Sequence, residues 1–294
     1  MKNGVMLITY PDSLGSNLSD LEAILSKHFS KALTSLHILP FFSSSGDRGF
    51  APYTYEQVDP AFGTWEDIDN LAKTYDLMFD YMINHISAQS PLLRNYLAEG
   101  PDSPNKDYFI DYEAFWGGEP TEEQIMKIYK RKPKDPYTTV TFSNGEQKKL
   151  WCTFSEEQID LNVQTELGVT FLESNLVNLA KHGAKFIRLD AFAYAIKKKE
   201  SDCFFVEPET WYLLARCRRA VREYGADVLP EIHEHYSIQL KLSSNSYPVY
   251  DFALPMLMLN ALYFHQTQHL KNWFAICPRN QHTTLDTHDG IGIV

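Results

Sequence analysis

Residues 169–190 read VTFLESNLVNLAKHGAKFIRLD. The first twelve of them form an amphipathic helical pattern. Gly183, after Lys181 and His182, is a helix stop. KFIRLD at 185–190 is then a short apolar run that ends on charged side chains. Helix, stop and buried strand in this order are one unit of an α/β fold. Similar runs recur along the chain: VMLITY at 5–10, LHILPFF at 36–42, LMFDYMINH at 77–85, DVLPE at 227–231, PVYDFA at 248–253 and TTLD at 283–286. Near-continuous apolar runs fit strands buried on both faces of a parallel sheet. Helical patterns lie between them at 18–29, 65–75 and 208–224, the first with Asn17 or Ser19 as a cap. Seven candidate strands are present, and a (β/α)8 TIM barrel needs eight. The residues alone leave an open parallel sheet or an incomplete barrel.

Residues 89–166 break this rhythm. They are rich in Pro, Gly, Asn and charge, hold Trp116 and Trp151, and carry Asn144-Gly145 between β-type residues, a hairpin signal. The reading is an inserted subdomain after the third strand. It divides the chain into 1–88 (first part of the barrel), 89–166 (subdomain) and 167–294 (second part of the barrel).

Composition narrows the function. The chain has 294 residues, is 44% hydrophobic and has a net charge of −11. That balance argues against nucleic acid as the main partner, which needs a basic footprint. No run of apolar residues is long enough to span a membrane. The start has no secretory pattern, and Cys152, Cys203, Cys217 and Cys277 include no CxxC pair, so a cytoplasmic protein without a zinc site or disulfide framework is expected.

Active residues in parallel α/β folds sit at the carboxyl ends of strands. The fourth strand ends Arg188-Leu-Asp190, with Arg188 and Asp190 on one face. An arginine beside a carboxylate keeps it ionised, which suits a nucleophile. A structural Arg–Asp pair is the plainer reading of these two residues alone. The fifth ends at Glu231, with His233 and His235 on the same face by alternation. A glutamate among apolar neighbours can hold its proton and act as general acid. A metal held by the two histidines is the rival. The seventh ends Asp286-Thr-His288-Asp289-Gly290, which a polar turn would also explain. Three acids at three strand ends point to glycosidic bond chemistry: one attacks as an anion, one protonates the leaving oxygen, and one stabilises positive charge. Acid–base and nucleophilic work of this kind calls for no metal or organic cofactor.

Together and in order, the motifs Asp80-Tyr-Met-Ile-Asn-His85, Ile187-Arg-Leu-Asp-Ala191, Pro230-Glu231 and Thr287-His-Asp289 resemble the alpha-amylase superfamily of retaining glucosidases and transglucosidases. Within it the chain is most similar to the bacterial sucrose phosphorylase group. The segments shared with that group include Gly46-Asp-Arg-Gly-Phe-Ala-Pro52, Ile128-Tyr-Lys-Arg-Lys132, Leu229-Pro-Glu-Ile-His-Glu-His235 and Leu285-Asp-Thr-His-Asp-Gly-Ile-Gly292. The resemblance implies a TIM barrel, Asp190 as nucleophile, Glu231 as acid/base and Asp289 as transition-state stabiliser. It implies that His85, Arg188 and His288 hold the glucosyl unit. Asp47 would lie near the fructose and phosphate position, and Arg131 would contact phosphate. The implied partners are sucrose or a related glucoside and inorganic phosphate, giving α-D-glucose 1-phosphate and fructose; the resemblance allows a homodimer. The basic residues at 127–134 are what an acidic chain would need for a phosphate, and equally what a solvated basic face looks like. Sucrose 6'-phosphate as substrate, water as acceptor and a non-catalytic sugar-binding remnant remain as alternatives. Members of the family are longer, so a carboxyl-terminally truncated barrel with unpaired edges at strands one and seven is expected.

Overall fold

The computed structural model describes residues 3–290; residues 291–294, including the end of the 285–292 motif, lie outside the described residues. The chain opens with β1 (Met6–Thr9), α1 (Leu18–His28), β2 (Ser35–Ile38), α2 (Trp65–Ala72) and β3 (Asp76–Met82). Asn17 caps α1 by accepting the Asp20 amide at 2.9 Å. Thr64 and Asp67 form a capping box that starts α2. The middle of the chain holds β4 (His85–Ser87), α3 (Pro91–Glu99), α4 (Tyr112–Trp116), α5 (Glu122–Lys127), β5 (Tyr137–Thr141), β6 (Gln147–Trp151) and β7 (Gln158–Asp160). The α/β rhythm then resumes with α6 (Glu166–Lys181), β8 (Ala184–Asp190), α7 (Glu209–Arg222) and β9 (Asp227–Pro230). Last come α8 (Tyr236–Ser244), β10 (Val249–Asp251), α9 (Ala253–Phe264), α10 (Gln268–Ile276) and β11 (Gln281–Thr283).

Strands β1, β2, β3, β8 and β9 pair in parallel in that order, and β10 pairs in parallel with β11. Alternation sorts their side chains into two layers. Phe79, Ile187, Leu189 and Val228 face outward and pack with Leu172, Leu176 and Leu179 of α6 and Leu214 of α7. Met78, Leu229 and Tyr250 face inward, with Met6, Phe186 and Phe252 against them. An inner layer drawn from β1, β3, β8, β9 and β10 is the filled interior of a barrel wall, not one face of an open sheet. The fold is therefore the TIM barrel, with seven of its strands among the described residues.

The strands between β3 and α6 pair outside the parallel sheet. Strands β5 and β6 form an antiparallel hairpin, with Gly145 at φ +85° in the turn signalled by Asn144-Gly145. Both tryptophans sit in a small core of their own with Ile110, Tyr112, Ile128 and Cys203.

Four sequence expectations are corrected. The run at 77–85 is not one strand: it ends at Met82, and His85 opens β4, which pairs antiparallel with β7. The fifth strand ends at Pro230, so alternation does not carry His235 to the face of Glu231; His235 instead caps α8, its ring accepting the Ser237 amide at 3.4 Å. The seventh strand is Gln281–Thr283, which leaves Asp286, His288 and Asp289 in the loop beyond it. Ala253 begins a helix; Pro255, in the first turn of α9, is tolerated where no amide partner is needed.

The start of α6 contains a close approach that only glycine allows. A Cβ on Gly168 would lie 2.0 Å from the Asn162 carbonyl oxygen, and that loop is itself held by the Asn162 amide on the Tyr108 carbonyl at 2.8 Å. Gly168→Ala is expected to destabilise the chain by about 1–3 kcal/mol, read from urea unfolding.

Candidate active site

The carboxyl ends of β3, β8 and β9 bring Asp80, Arg188, Asp190 and Glu231 together. Register pairs Asp80 with Arg188 across β3 and β8. Arg188 Nη1 donates to Asp80 Oδ1 at 2.6 Å and to Asp190 Oδ1 at 2.9 Å, and Nη2 lies 3.9 Å from Glu231 Oε1. Asp80 Oδ2 is 2.9 Å from His37 Nε2 on β2. After Asp190 the backbone turns sharply: Ala191 has φ +53°, and its amide donates to Glu231 Oε2 at 3.1 Å. That contact places the second carboxyl beside the first. The side chains of Asp190 and Glu231 keep 16% and 17% exposure, whereas Arg188 keeps 4% and Asp80 none. Two carboxyls thus face open space, and the pair behind them is sealed.

Loops add the remaining walls. His85 Nε2 is 2.9 Å from the Phe50 carbonyl, so that nitrogen carries the proton and donates. Gln158 donates to the same carbonyl at 3.2 Å and to Asp47 Oδ2 at 3.0 Å. The His288 ring stacks on Phe50, centroids 4.8 Å apart and planes 2° from parallel. The buried Lys197 ammonium bridges Asp160 of β7 at 2.7 Å and Asn84 at 2.9 Å, which ties β7 to the segments that follow β3 and β8.

The eight residues to which the family resemblance assigns roles line one cavity of about 640 Å³: Asp47, His85, Arg131, Arg188, Asp190, Glu231, His288 and Asp289. Asp289 is at its rim, 69% exposed and 3.5 Å from His288. The basic run contributes less than its charge count suggests. Lys127 pairs with Glu123 and Glu200, Lys130 with Asp135, and Lys134 with Glu156. Arg131 and Lys132 are the members of the run that reach the cavity wall. Sequence reasoning missed Asp80 as the partner of Arg188, although Asp80 opens one of the quoted motifs. It also gave no role to His37 and Phe50, although both lie in quoted segments, or to Gln158, which carries no local signal. Among the described residues, no group of three or more His, Cys, Asp or Glu side chains is placed to hold a metal ion, and no helix is long and apolar enough to cross a membrane.

Electrostatics divides the site. Burial alone would raise Asp80, but His37 and Arg188 outweigh it and hold the carboxyl at about 2. Asp190 goes the other way. Burial pushes it up to about 8; Glu231, Asp80 and Asp289 push in the same direction, and Arg188 opposes them. Arg188 thus favours the ionised form, as its place beside Asp190 leads one to expect, while burial and three neighbouring acids act against it. Burial also lowers His85 and His288.

This arrangement matches a known family. Residues 9–282 fit the model of the alpha amylase catalytic domain. The chain belongs to the alpha-amylase family. Its relatives within that family include a sucrose phosphorylase of Streptococcus mutans, 50% identical over 99% of this chain and 61% of the relative. A glucosylglycerol phosphorylase of Marinobacter adhaerens is 44% identical over all of this chain and 61% of its own length. A crystal structure of sucrose 6F-phosphate phosphorylase from Thermoanaerobacter thermosaccharolyticum superposes with a TM-score of 0.96 at 41% identity, covering all of this chain and 61% of that one. These alpha-amylase family relatives are glycoside phosphorylases, and the chain spans 61% of their length.

Proposed function

We propose that this chain carries the catalytic centre of a sucrose phosphorylase, transferring the glucosyl group of sucrose to inorganic phosphate with retention. The observation that carries the proposal is the pairing of Asp190 and Glu231 at the ends of adjacent strands, around one guanidinium and in the same cavity as Arg131 and Lys132.

The double displacement starts with Asp190 ionised and Glu231 protonated. Arg188 lies at 2.9 Å from Asp190 and 3.9 Å from Glu231, so it favours the charged form of Asp190 against the burial that raises it. In the first displacement an Asp190 oxygen attacks the glucosyl C1, the bond from C1 to the fructosyl oxygen breaks, and Glu231 protonates that oxygen. In the second, an oxygen of hydrogen phosphate attacks C1, the ester to Asp190 breaks, and the phosphate proton returns to Glu231. Glucose 1-phosphate leaves and the pair is restored. In this reading His85, Arg188 and His288 hold the glucosyl hydroxyls, Asp289 stabilises the charged ring, Asp47 faces the fructosyl side, and Arg131 meets phosphate. Residues 89–166 act as the inserted unit that delivers Arg131.

The test is to incubate the chain with sucrose and phosphate and to assay glucose 1-phosphate. Glucose 1-phosphate as main product supports the reading; free glucose in its place, or no product, overturns it. Sucrose 6'-phosphate is the second substrate to assay, because the superposed structure belongs to an enzyme named for it. A faster reaction with that substrate replaces sucrose by its phosphate ester. Glu231→Gln is expected to lower turnover of sucrose by about 10²–10⁴-fold. Turnover of α-glucosyl fluoride, whose leaving group needs no proton, should fall far less. Equal losses with both donors would remove Glu231 as the acid.

A further inference from the structure

We propose that His37 is a positioning residue for the nucleophile: by holding Asp80 from the far side, it keeps the Arg188 guanidinium shared between Asp80 and Asp190. The inference rests on the double-displacement reading above and extends it into the barrel interior.

Four side chains from three strands make one line of contacts. His37 Nε2 meets Asp80 Oδ2 at 2.9 Å, Asp80 Oδ1 meets Arg188 Nη1 at 2.6 Å, and the same Nη1 meets Asp190 Oδ1 at 2.9 Å. His37 and Asp80 are each 1% exposed and Arg188 is 4% exposed, so water screens none of these contacts well. Nη1 is divided between two carboxylates that compete for it. Asp80 has two oxygens to satisfy, and His37 satisfies the one that Arg188 does not. Without that donor, Asp80 would draw the guanidinium toward itself, and its charge would act on Asp190 with less compensation. Both changes disfavour the anionic nucleophile.

An ordinary core histidine would satisfy both ring nitrogens. Here Nδ1 is buried with no hydrogen-bond partner in the structure. An orphaned buried ring nitrogen has a cost, so packing alone is a poor reason for histidine at this place, and the contact from Nε2 to Asp80 is what the ring supplies. The charged and titratable groups facing it are Asp80 on β3, Arg188 on β8, His282 on β11 and His288 beyond β11. Asp190 in turn faces Arg188, Glu231, Asp80 and Asp289.

The experiment compares the chain with His37→Leu, which removes the donor, and His37→Gln, which keeps an N–H and cannot titrate. The pH profile of kcat/KM is recorded for each, with thermal unfolding as a check of folding. His37→Leu is expected to move the acid limb up by about one pH unit, a loss of about tenfold below the limb. The alkaline limb should move less, and the loss should fall on kcat more than on KM. His37→Gln should restore most of the acid limb. An equal loss at every pH, or Gln no better than Leu in a folded chain, overturns the role. A second readout does not need turnover: the pH dependence of the stability difference between a chain and its Asp190→Asn variant reports the titration of Asp190. Adding His37→Leu to both members of that comparison should move the titration up by the same unit. If it moves while neither chain makes product, the positioning stands and the phosphorylase reading fails. If it stays in place, the positioning fails whatever the activity.

Discussion

Replacing Asp190 by Asn is expected to lower glucosyl transfer by at least about 10⁴-fold and to make the protein more stable. The first effect follows from its place as the attacking oxygen. The second follows from how that carboxyl is held. Its folded-state value of about 8 lies above the unfolded value of 3.8. Between those two values the folded chain binds more protons than the unfolded chain, so the native carboxyl makes stability fall as pH rises through that window. Asparagine carries no such slope. The gain from Asp190→Asn should therefore be absent near pH 4, grow with pH, and reach about 1–2 kcal/mol at pH 8. Urea unfolding at several pH values measures it. A variant less stable than the parent at pH 8 would mean that Asp190 is a structural partner of Arg188, the plainer reading that the sequence alone allowed.

Asp80→Ala should show the opposite pattern. It removes the buried carboxylate that meets both His37 and Arg188. Breaking a buried ion pair from one side leaves a charge without its partner, at a cost of about 3–5 kcal/mol. The sign of its pH dependence is also reversed. Asp80 is held at about 2, below its unfolded value of 3.8, so its contribution is present above pH 4 and is lost as pH falls toward 2. The gap between parent and variant in urea unfolding should be constant from pH 5 to 7 and narrow on acidification. A variant within 1 kcal/mol of the parent at pH 7 would show that the pair is well solvated and that Arg188 needs no anchor on β3.

The contrast between these two aspartates shows what a sequence reveals about such a site. Asp190 and Glu231 were legible because apolar strands end on them, and strand ends are where parallel α/β folds expose side chains. Asp80 was written into an apolar run and gave no sign of being the partner of Arg188; that pairing comes from the parallel register of β3 and β8. Gln158 and His85 reach the same Phe50 carbonyl from β7 and β4, two strands of three residues each, too short to show alternation and far apart in the chain. The basic run at 127–134 left two readings open for a related reason: charge can be counted in a sequence, but the acids that neutralise Lys127, Lys130 and Lys134 are supplied partly by residues 156 and 200. The helix α9 was hidden because ALPMLMLNALYF is apolar on nearly every face, so it has no helical stripe to read.

Mass spectrometry after exposure of the chain to a slow fluorinated α-glucosyl donor tests the centre most directly. One glucosyl unit on the peptide containing Asp190, absent in Asp190→Asn, is the expected result. A folded chain that carries no adduct, or that carries it on another residue, would contradict attack by Asp190.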